Sequence, residues 1–206
     1  MYLFLDFETT GLDPLVDRIL EAAWVPTHST TATDGTIESA LATPSIVAWD
    51  LLEGNAFVAN MHETSGLTDD LRYGQTLEVS DIEDRILETM HEWSTSHESC
   101  PDDQTWYLAG ASVHFDLAFI KSWMPRLAAK LSHRVFDTST LKAFFSIFLE
   151  LPSGIANDAP HRAANDVLEV LEFTQFYMIM MGKAADVMYD RATEAELQAM
   201  VSGETE

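Results

Sequence analysis

The spacing of apolar and polar residues in the first quarter of the chain predicts three consecutive β-strands. Residues 1–9, "MYLFLDFET", form an apolar run that ends at the turn "GLDP". Residues 18–25, "RILEAAWV", predict a second strand, with a helix as the alternative. Residues 36–49, "TIESALATPSIVAW", predict a third strand, and the hairpin-like turn "TATDG" at 31–35 separates it from the second.

The middle of the chain has mainly helical spacing. Short helical pieces are expected over residues 50–73, joined by "HETSG". Ser80 followed by Glu83 matches a capping box, and the sequence "DIEDRILETMHEW" after Ser80 has the apolar spacing of a helix. The stretch "TWYLAG" then predicts a short buried strand, and "FDLAFIKSWM" a helix that Pro125 ends or restarts.

The last part of the chain predicts one more strand and two helices. "RVFDT" is a short strand, "STLKAFFSIF" a helix and "SGIANDAP" a loop. A long helix follows from about residue 162 to 181, where Gly182 is expected to break it. A meander followed by alternating helices and strands is typical of an α/β fold with a mixed sheet flanked by helices. We expect one domain over 1–182 and an acidic C-terminal helix or tail over 183–206.

Composition fits one compact domain and narrows where the protein works. The chain has 206 residues, 47% of them apolar, which is enough for a real core. The single cysteine, Cys100, cannot form an internal disulfide, so we expect a cytoplasmic protein, in the host cell if a virus encodes it. No targeting segment is visible, and the apolar run "FYMIMMG" is too short to span a bilayer.

The net charge of −23 argues against an extended nucleic-acid-binding surface. Such surfaces need many basic groups to neutralise phosphates and release counterions. A small nucleotide held in a pocket by metal ions remains compatible with this charge. The simpler interpretation of the acidity is a well-solvated surface.

Two acids one residue apart, Asp6 and Glu8, interrupt the first apolar strand. Side chains on a strand alternate between its faces, so these two carboxylates point the same way. Their repulsion, increased by partial burial, predicts a bound cation between them.

Three more residues can complete a metal site. Asp116 follows a strand at the opening of a helix, and "HRAAND" contains His161 and Asp166. Five residues span about 500° of helix, so the last two converge only if His161 lies in the loop or first turn and Asp166 one turn inside. Carboxylates suit Mg²⁺ or Mn²⁺, and two such ions with a histidine base can hydrolyse a phosphodiester. Taken singly, Asp116 has a plain alternative as a helix cap, Asp166 as a solvated helix residue, and His161 as an N-terminal capping or surface histidine.

The ordered set "DFETTG", "HFD" and "HRAAND" resembles the DEDD exonuclease superfamily in its histidine variant, which implies a ribonuclease H-like fold. "DFETTGLDPLVDRILEAA", "HETSGL", "FDTSTLK" and "HRAANDVLEVLE" are similar to the oligoribonucleases, which degrade very short RNA from the 3′ end. The resemblance runs from residue 1 to about 181. It implies a homodimer with two Mg²⁺ or Mn²⁺ ions, His161 as general base, and four metal ligands: Asp6, Glu8, Asp116 and Asp166.

The resemblance also implies six substrate contacts: Leu12, Phe57, His62, Ser112, Arg134 and Ser139. Leu12 would wedge against a base, and Phe57, where the family usually has tryptophan, would stack on one. His62 would contact substrate, and Ser112 and Ser139 would lie near the phosphate. The alternatives are core packing for Leu12 and Phe57, and a helix N-cap for Ser139.

Arg134 matches an arginine that reaches the terminal phosphate from the other subunit of the dimer, with an ordinary surface residue as the alternative. His133 stands where a tyrosine is usual, and Phe115 replaces a polar residue, so recognition of the substrate end is the part of the pattern that departs from the family. The leading hypothesis is a 3′→5′ exoribonuclease of short RNA. The competing hypotheses are a DNA exonuclease of proofreading type and a catalytically silent relative that binds nucleotides or a partner protein.

Overall fold

A mixed six-stranded sheet forms the centre of the protein, in the order β4-β3-β2-β1-β5-β6. The computed structural model describes residues 1–27, 35–96, 105–149 and 160–191. The strands are β1 (Tyr2–Thr9), β2 (Ile19–Thr27), β3 (Glu38–Ala42), β4 (Thr76–Leu77), β5 (Trp106–Gly110) and β6 (Leu131–Asp137).

Eight helices belong to the described residues, and they cover both faces of the sheet and one of its ends. They are α1 (Ile46–Gly54), α2 (Ala56–Thr64), α3 (Leu67–Tyr73), α4 (Val79–Ser96), α5 (His114–Trp123), α6 (Pro125–Ala128), α7 (Thr138–Leu149) and α8 (Ala163–Arg191). None of the described helices has the length and apolar content needed to cross a membrane.

Strand β1 lies at the centre, antiparallel to β2 and parallel to β5. The register places Glu8 opposite Glu21 and Asp6 opposite Ala23. β3 is antiparallel to β2, whereas β4 and β6 run parallel to their neighbours. The predicted mixed sheet is therefore confirmed, and residues 18–25 form a strand rather than a helix.

The alternation of side chains along β1 separates two cores. Leu3, Leu5 and Phe7 pack into the larger apolar cluster, together with residues of α4, α5 and α6. Phe4 points to the other face, where it packs against α8. Because side chains alternate, Asp6 and Glu8 share the face of Phe4 and point towards α8. The β-strand period thus delivers both acids to the side of the sheet where "HRAAND" begins its helix.

Two local predictions from the first half of the chain are wrong. The third strand ends at Ala42, and residues 46–49 begin helix α1 because the Ser45 side chain accepts a hydrogen bond from the Ala48 backbone N–H. Helix α4 begins at Val79, so Ser80 lies inside it and does not cap it. The Glu83 carboxylate instead accepts hydrogen bonds from the backbone N–H groups of Arg126 and Leu127 at the start of α6.

Three further expectations concern boundaries. The predicted break at Gly182 is wrong, because α8 continues through it to Arg191. The two-residue strand β4 was not predicted, and the junction "HETSG" lies partly within α2. Cys100, residues 31–34, residues 153–159 and the end of the acidic tail lie outside the described residues. The division of the chain at residue 182 stays a prediction.

Candidate active site

Carboxylates from β1 and α8 converge at the end of the central strand. Among the described residues, Asp6, Glu8 and Asp166 can each offer an oxygen such that all three oxygens lie within 4.8 Å of one another. The first two are placed by the strand period, and Asp166 by the first turn of α8. The structure therefore brings together acids that are separated in the chain by almost its whole length.

Asp116 completes the acid cluster from the other side of β1. It lies in the first turn of α5, is 2% exposed, and accepts a hydrogen bond from the Phe7 backbone N–H through Oδ1 at 3.1 Å. Its oxygens are not among the three that lie within 4.8 Å of one another, but its charge acts on Asp6. Asp116 lies inside its helix, so the alternative that it only caps a helix is wrong.

The pKa values of these acids show how unfavourable the cluster is for four negative charges. Burial, followed by the charges of Asp116, Asp166 and Glu8, raises the pKa of Asp6 well above its usual value. Burial and the neighbouring acids raise the pKa of Glu8 to about 8. Burial raises the pKa of Asp116 to about 7 and that of Asp166 to about 6. An all-oxygen set of crowded carboxylates fits hard divalent cations, which would offset this repulsion.

His161 lies immediately before α8, beside Asp166. Its imidazole is 70% exposed, and Nδ1 lies 3.9 Å from Asp166 Oδ2. The helix begins at Ala163, so His161 is in the preceding loop and Asp166 is in the first turn. This is the placement that lets two side chains five residues apart converge. The geometry leaves the imidazole open to solvent next to the acid cluster.

His62 lies beside Glu8 and has no exposed surface. Its Nε2 bonds the Thr9 carbonyl at 2.8 Å, and its Nδ1 lies 3.8 Å from Glu8 Oε2. Within the described part of the chain, Nδ1 makes no hydrogen bond. Burial is the main cause that lowers the pKa of His62. His62 thus joins α2 to the end of β1. Its contact with substrate stays a prediction.

Leu12 and Phe57 are 82% and 80% exposed, so the alternative that they belong to the core is wrong. Leu12 projects from a turn that Asp17 holds, since Asp17 accepts hydrogen bonds from the Thr10 hydroxyl at 2.8 Å and the Asp13 backbone N–H at 2.9 Å. A Cβ on Gly11 would come within 2.5 Å of an Asp17 carboxylate oxygen. A side chain at position 11 would therefore displace the Asp17 carboxylate from its hydrogen bonds with Thr10 and Asp13.

Ser112 and Ser139 meet at the ends of two neighbouring parallel strands. The Ser112 backbone N–H donates to Ser139 Oγ at 2.9 Å and to Asp137 Oδ1 at 3.1 Å. Ser112 has a φ of 52°, a conformation that non-glycine residues seldom adopt. The same Asp137 oxygen accepts from the Ser139 backbone N–H at 2.9 Å. Asp137 rather than Ser139 therefore caps α7, and sequence reasoning missed this residue.

Arg134 and His133 are exposed on β6, at the edge of the sheet. The contact of Arg134 with a phosphate bound in a partner subunit stays a prediction. The Phe115 ring packs against Phe119, with 4.9 Å between ring centroids, as part of the larger apolar cluster. The departure from the family at position 115 is thus accommodated by core packing.

Sequence reasoning also missed an ion pair at the start of α8. Arg162 donates through Nε and Nη2 to the buried Glu21 carboxylate, with distances of 2.7 to 3.2 Å. The Ala163 backbone N–H donates to Glu21 Oε2 at 3.0 Å, and Arg162 Nη1 bonds Asp70 Oδ2 at 2.7 Å. The available signal was Glu21 itself, an acid inside the apolar stretch "RILEAAWV".

Several known proteins are similar to this chain. A family model described as "Exonuclease", of the RNase T type, matches residues 3–174. The oligoribonuclease of Chromobacterium violaceum is 30% identical over 180 residues, which cover 85% of this chain and 92% of that protein. The oligoribonuclease of Leifsonia xyli subsp. xyli is 30% identical over 202 residues, covering 96% of this chain and 89% of that protein.

Solved structures of exonuclease I share the fold. E. coli exonuclease I in complex with a 5cy-dT13 oligonucleotide gives a TM-score of 0.61 at 17% identity, covering 97% of this chain and 45% of that chain. The zinc-ion-bound form of its complex with ssDNA gives 0.62 at 18% identity, with 96% and 44% covered. The chain spans less than half the length of these enzymes, and the likeness confirms the ribonuclease H-like fold. Because the family match and the similarity to the two relatives extend over most of its length, the chain belongs to the RNase T-type exonuclease family, in its oligoribonuclease branch.

Proposed function

We propose that this protein is a metal-dependent 3′→5′ exoribonuclease that hydrolyses short RNA, with dinucleotides favoured, to nucleoside 5′-monophosphates. The observation that supports this best is the convergence of Asp6, Glu8 and Asp166, whose oxygens lie within 4.8 Å of one another. His161 stands beside them with its imidazole exposed. Relatives named oligoribonuclease, similar along most of the chain, support the choice of short RNA as substrate.

Two divalent cations, Mg²⁺ or Mn²⁺, would be held by Asp6, Glu8, Asp116 and Asp166. All ligands are carboxylates, which favours these hard ions over zinc, an ion that prefers histidine and cysteine. When bound, such ions supply an activated water and neutralise the charge that develops on the phosphodiester.

His161 is positioned to act as the general base. The exposed imidazole can accept the proton of a water whose oxygen attacks the scissile phosphorus, while the 3′ oxygen of the preceding nucleotide leaves. The negative charge of Asp166, whose Oδ2 lies 3.9 Å from Nδ1, would favour the protonated imidazole that results. Attack on the last phosphodiester releases a nucleoside 5′-monophosphate.

Exposed residues around the acid cluster would bind the ends of the substrate. Leu12 and Phe57 offer apolar surfaces for the bases, and the Ser112–Ser139 pair offers hydroxyls for the phosphate. Arg134, on the exposed edge strand β6, would reach the 5′ phosphate bound in a second copy of the chain. Phe144 and Ile147 are exposed on α7, the helix that follows β6, and offer apolar surface for a homodimer.

A preference for short substrates follows from this arrangement and from the charge. The net charge of −23 would repel a long RNA wherever cations do not neutralise it. A longer RNA would also have to displace the contact between Arg134 and the 5′ phosphate of a dinucleotide. The single cysteine supports a cytoplasmic location.

The test is to incubate the pure protein with Mn²⁺ and 5′-labelled RNA dinucleotides, RNA of roughly twenty nucleotides, and DNA of both lengths. We expect the RNA dinucleotide to be cleaved much faster than the others, with Asp6→Asn as the inactive control and Arg134→Ala eroding the length preference. Faster cleavage of DNA would instead identify a DNA exonuclease. No cleavage of any substrate would identify a silent relative, and equal rates on short and long RNA would exclude the dinucleotide preference.

A further inference from the structure

Arg162 connects three elements around the acid cluster. Its guanidinium grips Glu21 on β2 through Nε and Nη2, and bonds Asp70 on α3 through Nη1. Glu21 is 3% exposed and also accepts the Ala163 backbone N–H, one of the unpaired donors at the start of α8. The first turn of α8 is thereby joined to the sheet by an arginine fork and a backbone hydrogen bond.

We propose that the Glu21–Arg162 pair is a positioning device for the reaction, which sets the start of α8 so that His161 and Asp166 meet the acids of β1. Neither residue of the pair is assigned a contact with substrate, so both are positioning residues. This inference rests on the proposed function for its kinetic consequences, and on the geometry of the acid cluster alone for the rest.

The location of the pair favours this role over a purely structural one. Arg162 directly follows His161 in the chain, and Asp166 is in the first turn of α8. Glu21 lies opposite Glu8 in the β1–β2 ladder, so the pair ties the helix to the strand register that holds a metal ligand. A shift of the α8 terminus relative to β2 would therefore move His161 and Asp166 relative to Asp6 and Glu8.

The Asp70 contact extends the same connection, through α3, to helix α2, which carries both Phe57 and His62. Asp70 lies on α3, which packs against α2, and His62 on α2 bonds the Thr9 carbonyl at the end of β1. Arg162 thus connects the start of α8, which would take part in the hydrolysis, with α2, where Phe57 would stack on a nucleobase of the substrate.

The chain contains a matched control for this device. On the other side of the sheet, Glu83 is also 3% exposed, and its carboxylate also accepts Nε and Nη2 of an arginine, Arg126, and the backbone N–H groups at the start of a helix. Arg126 likewise contacts a second, exposed acid, Asp84. This second pair fixes the start of α6, which carries none of the proposed site residues.

The experiment compares Arg162→Lys with Arg126→Lys. Lysine keeps the charge but cannot form the two-pronged contact of the guanidinium. The first readout is kcat and KM on an RNA dinucleotide, measured below the temperature at which circular dichroism detects unfolding. The second readout is the rise in Tm that Mn²⁺ produces. Because misplacement of a catalytic group by about 1 Å can cost about 10²-fold, we expect Arg162→Lys to lower kcat by about that factor with little change in KM. We also expect it to reduce the Mn²⁺-induced rise in Tm. Arg126→Lys should leave both readouts as in the wild type.

A loss in either readout that is confined to Arg162→Lys supports the proposal. Wild-type values of both readouts in folded Arg162→Lys would overturn it, and so would an equal loss in Arg126→Lys, which would identify a general effect of stability. If the wild type cleaves no RNA, the proposed function fails, and the Mn²⁺-induced rise in Tm still decides whether Arg162 positions the acid cluster.

Discussion

Glu83 and Glu8 are both buried carboxylates, but they lie on opposite sides of the sheet in very different surroundings. Glu83 accepts two backbone N–H groups and the guanidinium of Arg126, so its charge is fully compensated within the protein. Glu8 lies beside Asp6 and Asp166, and burial, followed by the charges of Asp166 and Glu21, raises the pKa of Glu8 to about 8. The side packed on α4 thus contains a compensated acid, and the side packed on α8 contains acids that repel one another.

This difference separates acids that stabilise the fold from acids that we propose to serve the reaction. A buried charge is tolerated where hydrogen bonds and an opposite charge replace its hydration, as for Glu83 and for Glu21. Among the described residues, no cationic side chain donates a hydrogen bond to Asp6, Glu8 or Asp166, and the charges of Arg162 and His161 offset the repulsion only in part. We therefore expect the cluster to lower stability and to bind cations. The following predictions test that separation.

The largest effect should come from Asp6→Asn. The change removes a proposed metal ligand, and we expect hydrolysis of an RNA dinucleotide with Mn²⁺ to fall by about 10³-fold or more, because cations contribute several kcal/mol to stabilising the transition state. The metal-free variant should unfold at a higher temperature than the wild type at pH 8, since one repelling charge is gone. Substantial activity of the folded variant with Mg²⁺ or Mn²⁺ would exclude Asp6 as a ligand.

His161→Ala should lower kcat by about 10²–10⁴-fold, the usual contribution of a general base. Affinity for a bound dinucleotide should change little, because the imidazole is exposed beside Asp166 and is proposed to act on water. Steady-state kinetics and a direct binding measurement on the same variant separate these effects. An equal loss of binding would make His161 a substrate clamp and not a base. His91→Ala, at an exposed position on α4, is the control.

Glu83→Gln should show the opposite behaviour to Asp6→Asn. Removing the charge weakens the bonds from Arg126 and from the start of α6, and hydrogen bonds to a charged group contribute about 1.5–3 kcal/mol. We expect the free energy of unfolding, measured with urea, to fall by about that amount, while kcat of the folded variant stays at the wild-type value. A large loss of kcat would mean that the two sides of the sheet are not independent.

The last expected effect is a pH dependence of stability in the metal-free protein. The folded-state pKa values of Glu8, Asp116 and Asp166 are raised from 4.5, 3.8 and 3.8 to about 8, 7 and 6. Between about pH 4 and pH 8 the folded state therefore binds more protons than the unfolded state. The stability that these groups contribute is fully present below about pH 4 and is lost as the pH rises to about 8. We therefore expect Tm to decrease from pH 5 to pH 8 in EDTA. Saturating Mn²⁺ should reduce or remove the decrease; a flat metal-free profile would contradict the repulsion within the cluster.

Those features that depend on neighbours along the chain could be predicted from the sequence. The period of β1 set Asp6 and Glu8 on one face, and the five-residue spacing of His161 and Asp166 required a loop followed by a helix, which the structure contains. Local patterns failed where a distant partner intervened. Ser80 and Glu83 match a capping box, yet Glu83 caps α6, about forty positions away, because that contact also compensates a buried charge.

Only the tertiary structure decided which acids are compensated. Glu21 and Arg162 are 141 positions apart, and nothing in either local sequence indicates that β2 and the start of α8 meet. The tertiary structure also decided which apolar side chains are exposed. Leu12 and Phe57 are apolar, like residues of the core, but they project into solvent. The physical reason is that a strand or helix period depends on backbone geometry between adjacent residues, whereas charge compensation and burial depend on which elements the sheet order brings into contact.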